Sequence, residues 1–246
     1  MLNDQKTLLL TGASRGIGHA TVRYFSAAGW RVLTVSRQPF SVDCPWDGGE
    51  MNHIQLDLSR IEDVQKAIPD LLARLPGGRL DALVNNAGIS PKGPEGARLG
   101  VLDTDIETWN QVLNVNLLSV AVLGRGLINA LKATEGTILN VTSIAGTRVH
   151  PFAGSAYAVS KAALAGLTRE MASEFGPFGV RVNAIAPGEI DTAILSPGTA
   201  EMVKREVPMG RLGAPEEVAA MIFFLCSRKA SYVNGAEIHI NGGQHV

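Results

Sequence analysis

The sequence predicts an α/β chain, a doubly wound three-layer αβα sandwich around a seven-stranded parallel sheet. Short apolar runs alternate with longer helical patterns along all 246 residues. The runs are continuously apolar rather than alternating, as expected of strands buried on both faces. Glycine and proline stand where helices stop and start. Parallel strands need crossovers of one hand, which puts helices on both faces of the sheet. No linker, repeat or low-complexity tract divides residues 1–246, so one domain is expected.

The strands are expected at Thr7–Thr11, Trp30–Ser36, His53–Asp57, Ala82–Asn85, Thr137–Thr142, Arg181–Ala186 and Glu237–Ile240. A first helix, Ile17–Ala28, ends at Gly29, which suits the left-handed residue after a helix. The crossover Gln38–Asn52 holds Pro39, Pro45, Gly48 and Gly49 without a helical period and reads as a loop. Ser90–Leu102, with Pro91, Pro94 and three glycines, reads as a long loop. A helical stretch follows Trp109, and another runs from Tyr157 to about Phe175. Pro215, followed by Glu216 and Glu217, opens the last helix with acids against its positive end.

Composition narrows the function. With 46% apolar and 18% charged residues, disordered, collagenous and disulfide-stapled chains are excluded. Lys plus Arg (22) against Asp plus Glu (23) leaves a net charge of −1, so no basic field attracts nucleic acid or anionic lipid. Cys44 and Cys226 lack disulfide or zinc spacing. The five histidines (19, 53, 150, 239, 245) form no ligand pair, and no metal is expected. The N-terminus lacks signal-peptide character, and the uncharged stretch Thr108–Gly124 falls short of the ~20 apolar residues of a membrane span. A cytoplasmic protein is expected.

Two clusters carry chemistry. Thr11-Gly12-Ala13-Ser14-Arg15-Gly16-Ile17-Gly18 joins the first strand to a helix N-terminus. It is either a plain turn or a cradle in which backbone N–H groups meet a pyrophosphate. The second strand ends in Ser36-Arg37, with no acid to accept from a ribose 2′-hydroxyl. These residues and Arg15 suit a 2′-phosphate. Further on, Tyr157 and Lys161 stand one helical turn apart, with Cβ atoms about 5–6 Å from each other. A nearby ammonium stabilises a phenolate, so Lys161 is expected to lower the Tyr157 pKa for acid–base work. Ser143 follows a strand end on the same side, and Asn116 is polar in an apolar run. No G-x-S-x-G elbow surrounds Ser143, which excludes it as the nucleophile of a serine hydrolase of that type.

Together with Asn85-Asn86-Ala87-Gly88, Pro187-Gly188 and Asn241-Gly242-Gly243, these motifs resemble the short-chain dehydrogenase/reductase family in order, over nearly the whole chain. The resemblance implies a Rossmann-like fold, a homotetramer and hydride exchange between a nicotinamide and a substrate carbon. It makes Tyr157 the proton donor or acceptor and Ser143 the substrate-oxygen binder. Lys161 would be a ribose contact and Asn116 part of a water-linked relay. Gly12, Ser14, Arg15, Gly16, Ile17 and Gly18 would hold the pyrophosphate, and Asp57 with Leu58 the adenine. Asn85, Ala87 and Gly88 would line the cofactor, and Pro187, Gly188, Ile190 and Thr192 the carboxamide end. With Ser36 and Arg37 at the 2′ position, NADP(H) is expected to be preferred over NAD(H).

Substrate-side candidates are Ser143, Ile144, Ala145, His150, Phe152, Tyr157 and Glu189, with Ile194, Leu195 and Met202 as apolar cover. Arg148 and Glu189 are expected to face solvent, and Glu189–Leu212 to form a lid. Leu131–Glu135 and Met171–Phe175 are not basic, which favours a small free ketone or secondary alcohol over a carrier-bound 3-oxoacyl group. A 3-oxoacyl-thioester reductase and a non-catalytic dinucleotide-binding sensor or scaffold are the alternatives. Intact Ser143, Tyr157, Lys161 and Asn116 argue against the sensor or scaffold.

Overall fold

A computed structural model describes residues 5–40, 49–192, 195–196 and 198–246. Seven strands, β1 (Thr7–Thr11), β2 (Arg31–Ser36), β3 (His53–Gln55), β4 (Ala82–Asn85), β5 (Thr137–Val141), β6 (Arg181–Pro187) and β7 (Glu237–Ile240), form one sheet in the order β3-β2-β1-β4-β5-β6-β7. Every pairing is parallel. The order reverses between β1 and β4, where an open α/β sheet leaves a crevice at its carboxyl edge.

Alternate strand residues divide the core between two faces. Leu9, Leu33, Leu83, Ile138 and Val182 point toward α2 (Ile61–Ala73), α4 (Ser119–Lys132) and α5 (Ser155–Phe175). Leu8, Leu10, Val32, Val84, Leu139 and Ile185 point toward α1 (Gly16–Ala27) and α7 (Pro215–Cys226). Between α2 and α4, α3 (Ile106–Leu113) continues through a wide π-turn at Asn114–Leu118 into α4. The whole run, Ile106–Lys132, is long and apolar enough to cross a membrane by length and composition. Leu123, Leu127 and Leu131 are wholly buried in the core, which accounts for its composition. The eight-residue α6 (Thr199–Glu206) stands near the carboxyl edge of the sheet.

The sequence expectations differ from this fold by a residue or two at element ends. Trp30 belongs to the turn, since its N–H donates to the Phe25 carbonyl at 3.0 Å and closes α1. The third strand stops at Gln55, and Asp57 instead accepts from the Ser59 N–H at 2.9 Å. Gly29 sits at φ +78°, where a side chain would be strained. Within the expected Gln38–Asn52 loop, Glu50–Asn52 makes a single 3₁₀ turn; residues 41–48, including Cys44 and Trp46, lie outside the described residues.

Candidate active site

A cleft of about 530 Å³ opens along the carboxyl edge of the sheet. Its first wall is the glycine turn after β1. Asn86 braces this turn across the switch point: its Nδ2 donates to the carbonyls of Thr11 (3.2 Å) and Gly12 (2.9 Å). In return, Thr11 Oγ1 accepts from the backbone N–H groups of Asn86 and Ala87, both at 3.1 Å. A Cβ on Gly18 would fall 2.0 Å from the Gly12 oxygen, so only glycine fits beneath the turn. No side chain caps α1 and no acid lies in its first turn, which leaves its N–H groups and dipole to an anion.

The middle of the cleft is built by α5 and the chain after β5. Ser143 caps a short 3₁₀ turn, Ile144–Gly146, its Oγ accepting from the Ala145 N–H at 3.2 Å. A Cβ on Gly146 would lie 2.9 Å from the Lys161 carbonyl carbon, so this turn lies directly on α5. That packing places the Ser143 hydroxyl beside the Tyr157 phenol, near enough to favour its charged form. One helical turn on, Lys161 is 3% exposed, and its Nζ donates to the Val141 carbonyl at 2.6 Å. Nζ lies 5.7 Å from the centre of the Tyr157 ring.

The electrostatics of this trio differ from the simple expectation. Burial raises the Tyr157 pKa above its ordinary value, the neighbouring Ser143 hydroxyl opposes the rise, and the Glu189 charge adds to it. Burial lowers Lys161 from 10.5 to about 8. The phenol is therefore held protonated rather than pushed toward phenolate. Helical spacing brings Lys161 close, but the spacing carries no information about desolvation, which here dominates.

Most of the expected site residues line this one cleft. Gly12, Ser14, Arg15, Gly16, Ile17, Gly18, Ser36, Arg37, Asp57 and Leu58 line one end, and Ala87, Gly88, Pro187, Gly188, Ile190 and Thr192 continue it toward Ser143, Ala145, Tyr157 and Lys161. Burial would raise Asp57, but hydrogen bonds from the Ser59 backbone and hydroxyl, with Arg37 and Arg60 nearby, more than offset it and hold the carboxyl low. Ser36 Oγ donates to the Gln38 carbonyl at 2.9 Å, so its proton already has an acceptor.

Two expected residues stand behind the wall instead. Asn85 donates to Asn140 Oδ1 at 2.9 Å, in a buried polar chain that continues from Asn140 to Thr168. Asn116 is wholly buried; its Nδ2 donates to the Ile89 carbonyl (3.0 Å) and Ser160 Oγ (2.9 Å), and its Oδ1 accepts from the Ile89 N–H (2.9 Å). Both amide protons are engaged, so the side chain clamps the wall of the cleft and is not placed to donate to a relay. Replacing Asn116 by Ala is expected to lower stability by about 2–3 kcal/mol, measured by urea unfolding.

The substrate side holds more charge than expected. Glu189 does not face solvent: its side chain is 11% exposed, and Oε1 lies 2.7 Å from His150 Nε2. Arg148 is exposed, as expected, donating to the Gln244 carbonyl at 2.9 Å and pairing with Glu206. Met202 is buried against Gln244. Leu195, Ser196 and Thr199 line the cleft beside α6; Ile194 and Pro197 lie outside the described residues. Sequence reasoning missed Lys92, which also lines the cleft; a lysine in the loop between two flanking prolines was the only signal.

This geometry agrees with what the chain resembles in sequence. A family model described as enoyl-(acyl carrier protein) reductase matches residues 12–245. The chain belongs to the short-chain dehydrogenase/reductase family and is an oxidoreductase acting on a small-molecule substrate. Protein FixR of Bradyrhizobium diazoefficiens is 56% identical over 244 residues, covering 99% of this chain and 88% of that protein. The 3-oxoacyl-[acyl-carrier-protein] reductase FabG of Aquifex aeolicus is 35% identical, over 97% of this chain and 96% of that one. Among solved structures, a short-chain dehydrogenase/reductase family oxidoreductase from Brucella ovis, in complex with a partially ordered NAD, is 57% identical. It superposes with a TM-score of 0.84 over 97% of this chain and 100% of that one.

The residues fit a nicotinamide dinucleotide. An uncapped, acid-free helix N-terminus beneath a glycine turn opens on one end of the cleft, and Ser143, Tyr157 and Lys161 stand at the other. Gly18→Ala is expected to destabilise the turn by about 1–3 kcal/mol and to weaken NAD(P)H binding by more than ~100-fold, read by urea unfolding and fluorescence titration.

Proposed function

We propose that this chain reduces a small ketone, or oxidises the matching secondary alcohol, with Tyr157 as general acid and base. The observation that carries it is the convergence of Tyr157, Ser143 and a buried Lys161, whose Nζ lies 5.7 Å from the Tyr157 ring centre, in the cleft that the glycine turn also lines. When bound, the nicotinamide supplies or accepts hydride. Ser143 and Tyr157 hold the substrate oxygen, and Tyr157, protonated at neutral pH, gives it a proton as the carbonyl is reduced. In the reverse direction Tyr157 takes the proton from the alcohol. Lys161 places a positive charge beneath the reacting end and orients the ribose.

The inner wall favours a polar substrate. Lys92, His150 and Glu189 line the cleft near Tyr157, and an apolar acyl chain would desolvate them without replacing their hydrogen bonds. This supports a free polar compound over a carrier-bound acyl group. A homotetramer in the cytoplasm is part of the same reading, supported by resemblance to the family.

NADP(H) is proposed as the preferred cofactor. Arg15 and Arg37 both line the adenosine end, and no acid ends β2. Both arginines are exposed, Asp57 lies near Arg37, and the Ser36 proton is engaged, so screening keeps the preference near ~10-fold. Fluorescence titration at equal, low ionic strength is expected to show tighter NADPH than NADH, with Arg37→Asp narrowing the gap. Equal or tighter NADH would show that the arginines do not reach the 2′ position.

A further inference from the structure

Four groups form a hydrogen-bonded arc over the substrate side of the cleft. Lys92 Nζ donates to the Phe152 carbonyl. The Phe152 N–H donates to His150 Nδ1 at 3.2 Å, which leaves the proton on Nε2 to be donated to Glu189 Oε1 at 2.7 Å. The backbone on both sides of Lys92 is held. Asn116 clamps Ile89, Arg98 Nε donates to the Ala153 carbonyl at 2.8 Å, and the Ser155 N–H donates to the Leu99 carbonyl at 2.9 Å.

The two charges of the arc are satisfied unequally. Glu189 already receives the His150 proton. Lys92 is half-buried, and its hydrogen-bond partner is a neutral carbonyl. No carboxylate lies within 4.0 Å of its Nζ among the described residues. Burial pushes the ammonium toward neutrality and the more distant Glu189 pulls it back. An ammonium has three protons; two remain beyond the one given to Phe152. A partly desolvated cation with free donors, fixed in the same cleft as Ser143 and Tyr157, is suited to an anionic oxygen.

We propose that Lys92 binds a carboxylate of the substrate, and that the compound oxidised or reduced at Tyr157 is a small hydroxy acid or its oxo acid. This rests on the reading that Ser143 and Tyr157 hold the reacting oxygen. Lys92 then determines specificity: it anchors the acid while the hydroxyl-bearing carbon meets Tyr157. A charge-assisted hydrogen bond from Lys92 is expected to favour the acid over its neutral ester by ~10–100-fold.

Calorimetric titration into the enzyme saturated with NADPH tests this without requiring turnover. Lactate, 3-hydroxybutyrate and 4-hydroxyvalerate are each compared with their methyl esters. At least one acid is expected to bind ~10-fold or more tighter than its ester. Lys92→Met should abolish that preference while changing the NADPH dissociation constant by less than about threefold, and Lys92→Arg should retain most of it. Lys92→Gln serves if the Met variant does not fold, and the wild-type comparison requires no variant. Failure of every acid to outbind its ester, or a preference that survives loss of the charge, overturns the proposal. If NADPH binds and neutral ketones turn over while no acid is preferred, only the role of Lys92 is lost. If neither NADPH nor NADH binds, the reading of the cleft itself fails, and the role of Lys92 with it.

Discussion

Tyr157→Phe is expected to slow turnover by ~10²-fold or more while leaving NAD(P)H affinity within about threefold of wild type. The substitution removes one oxygen from a half-buried ring. The Ser143 hydroxyl keeps its bond from the Ala145 N–H, and water can take the place of the lost phenol oxygen beside the open cleft, so stability should change by less than about 1 kcal/mol. The loss then reflects chemistry and not folding. The pH dependence carries a sign as well. Burial holds the phenol above its ordinary pKa, so Tyr157 remains protonated through neutral pH and ready to donate during reduction. Oxidation needs the phenolate beside a charged Lys161, so its rate should rise with pH and level off above about 8, where Lys161 loses its proton. Stopped-flow absorbance at 340 nm, in both directions and across pH, reads these effects.

Lys161→Met is expected to lower turnover by ~10²–10³-fold without lowering stability appreciably. A lysine depressed from 10.5 to about 8 carries ~3 kcal/mol of desolvation cost in the folded state. Because the folded pKa lies below the unfolded one, that cost is fully present below pH 8 and fades as pH rises toward 10.5. Methionine removes it but deprives the Val141 carbonyl of its donor, at about 1–3 kcal/mol. The two nearly cancel, so Tm should move by no more than about 4 °C, measured by calorimetry at pH 7. Reduction, during which Tyr157 stays protonated and the ammonium alone titrates, should fall as pH rises through about 8 in the wild type. That limb should be absent from the residual activity of Lys161→Arg, since a guanidinium stays charged. A large loss of stability in Lys161→Met would show that Lys161 serves the fold first.

The sheet was legible in the sequence because each strand is a short apolar run closed by glycine, proline or a polar residue. Thr7–Thr11, Ala82–Asn85 and Glu237–Ile240 match the structure residue for residue. The cleft was legible where motifs lie within one element or one turn, as with Gly12–Gly18 or Tyr157 and Lys161. What escaped depends on contacts between distant segments. Asn116, within the π-turn, bonds Ile89 and Ser160, segments 27 and 44 residues away, which an apolar run does not reveal. Asn85 is aimed into the core by strand alternation, one residue before Asn86 reaches the glycine turn. Glu189 was expected in solvent because acids usually lie there; it is inside because His150, 39 residues earlier, meets it. Lys92 is joined to that pair only through the Phe152 backbone, 60 residues on.

The central claim is that Tyr157, with Ser143 and Lys161, moves the proton that accompanies hydride exchange in this cleft. The most direct measurement is NADPH and NADH oxidation at 340 nm across a panel of small ketones and oxo acids, wild type beside Tyr157→Phe, with the alcohol product quantified by chromatography. The expected result is cofactor oxidation matched one to one by alcohol in the wild type and reduced at least ~10²-fold in Tyr157→Phe. Cofactor that binds but is oxidised by no member of the panel, or turnover by Tyr157→Phe within about threefold of wild type, would contradict it.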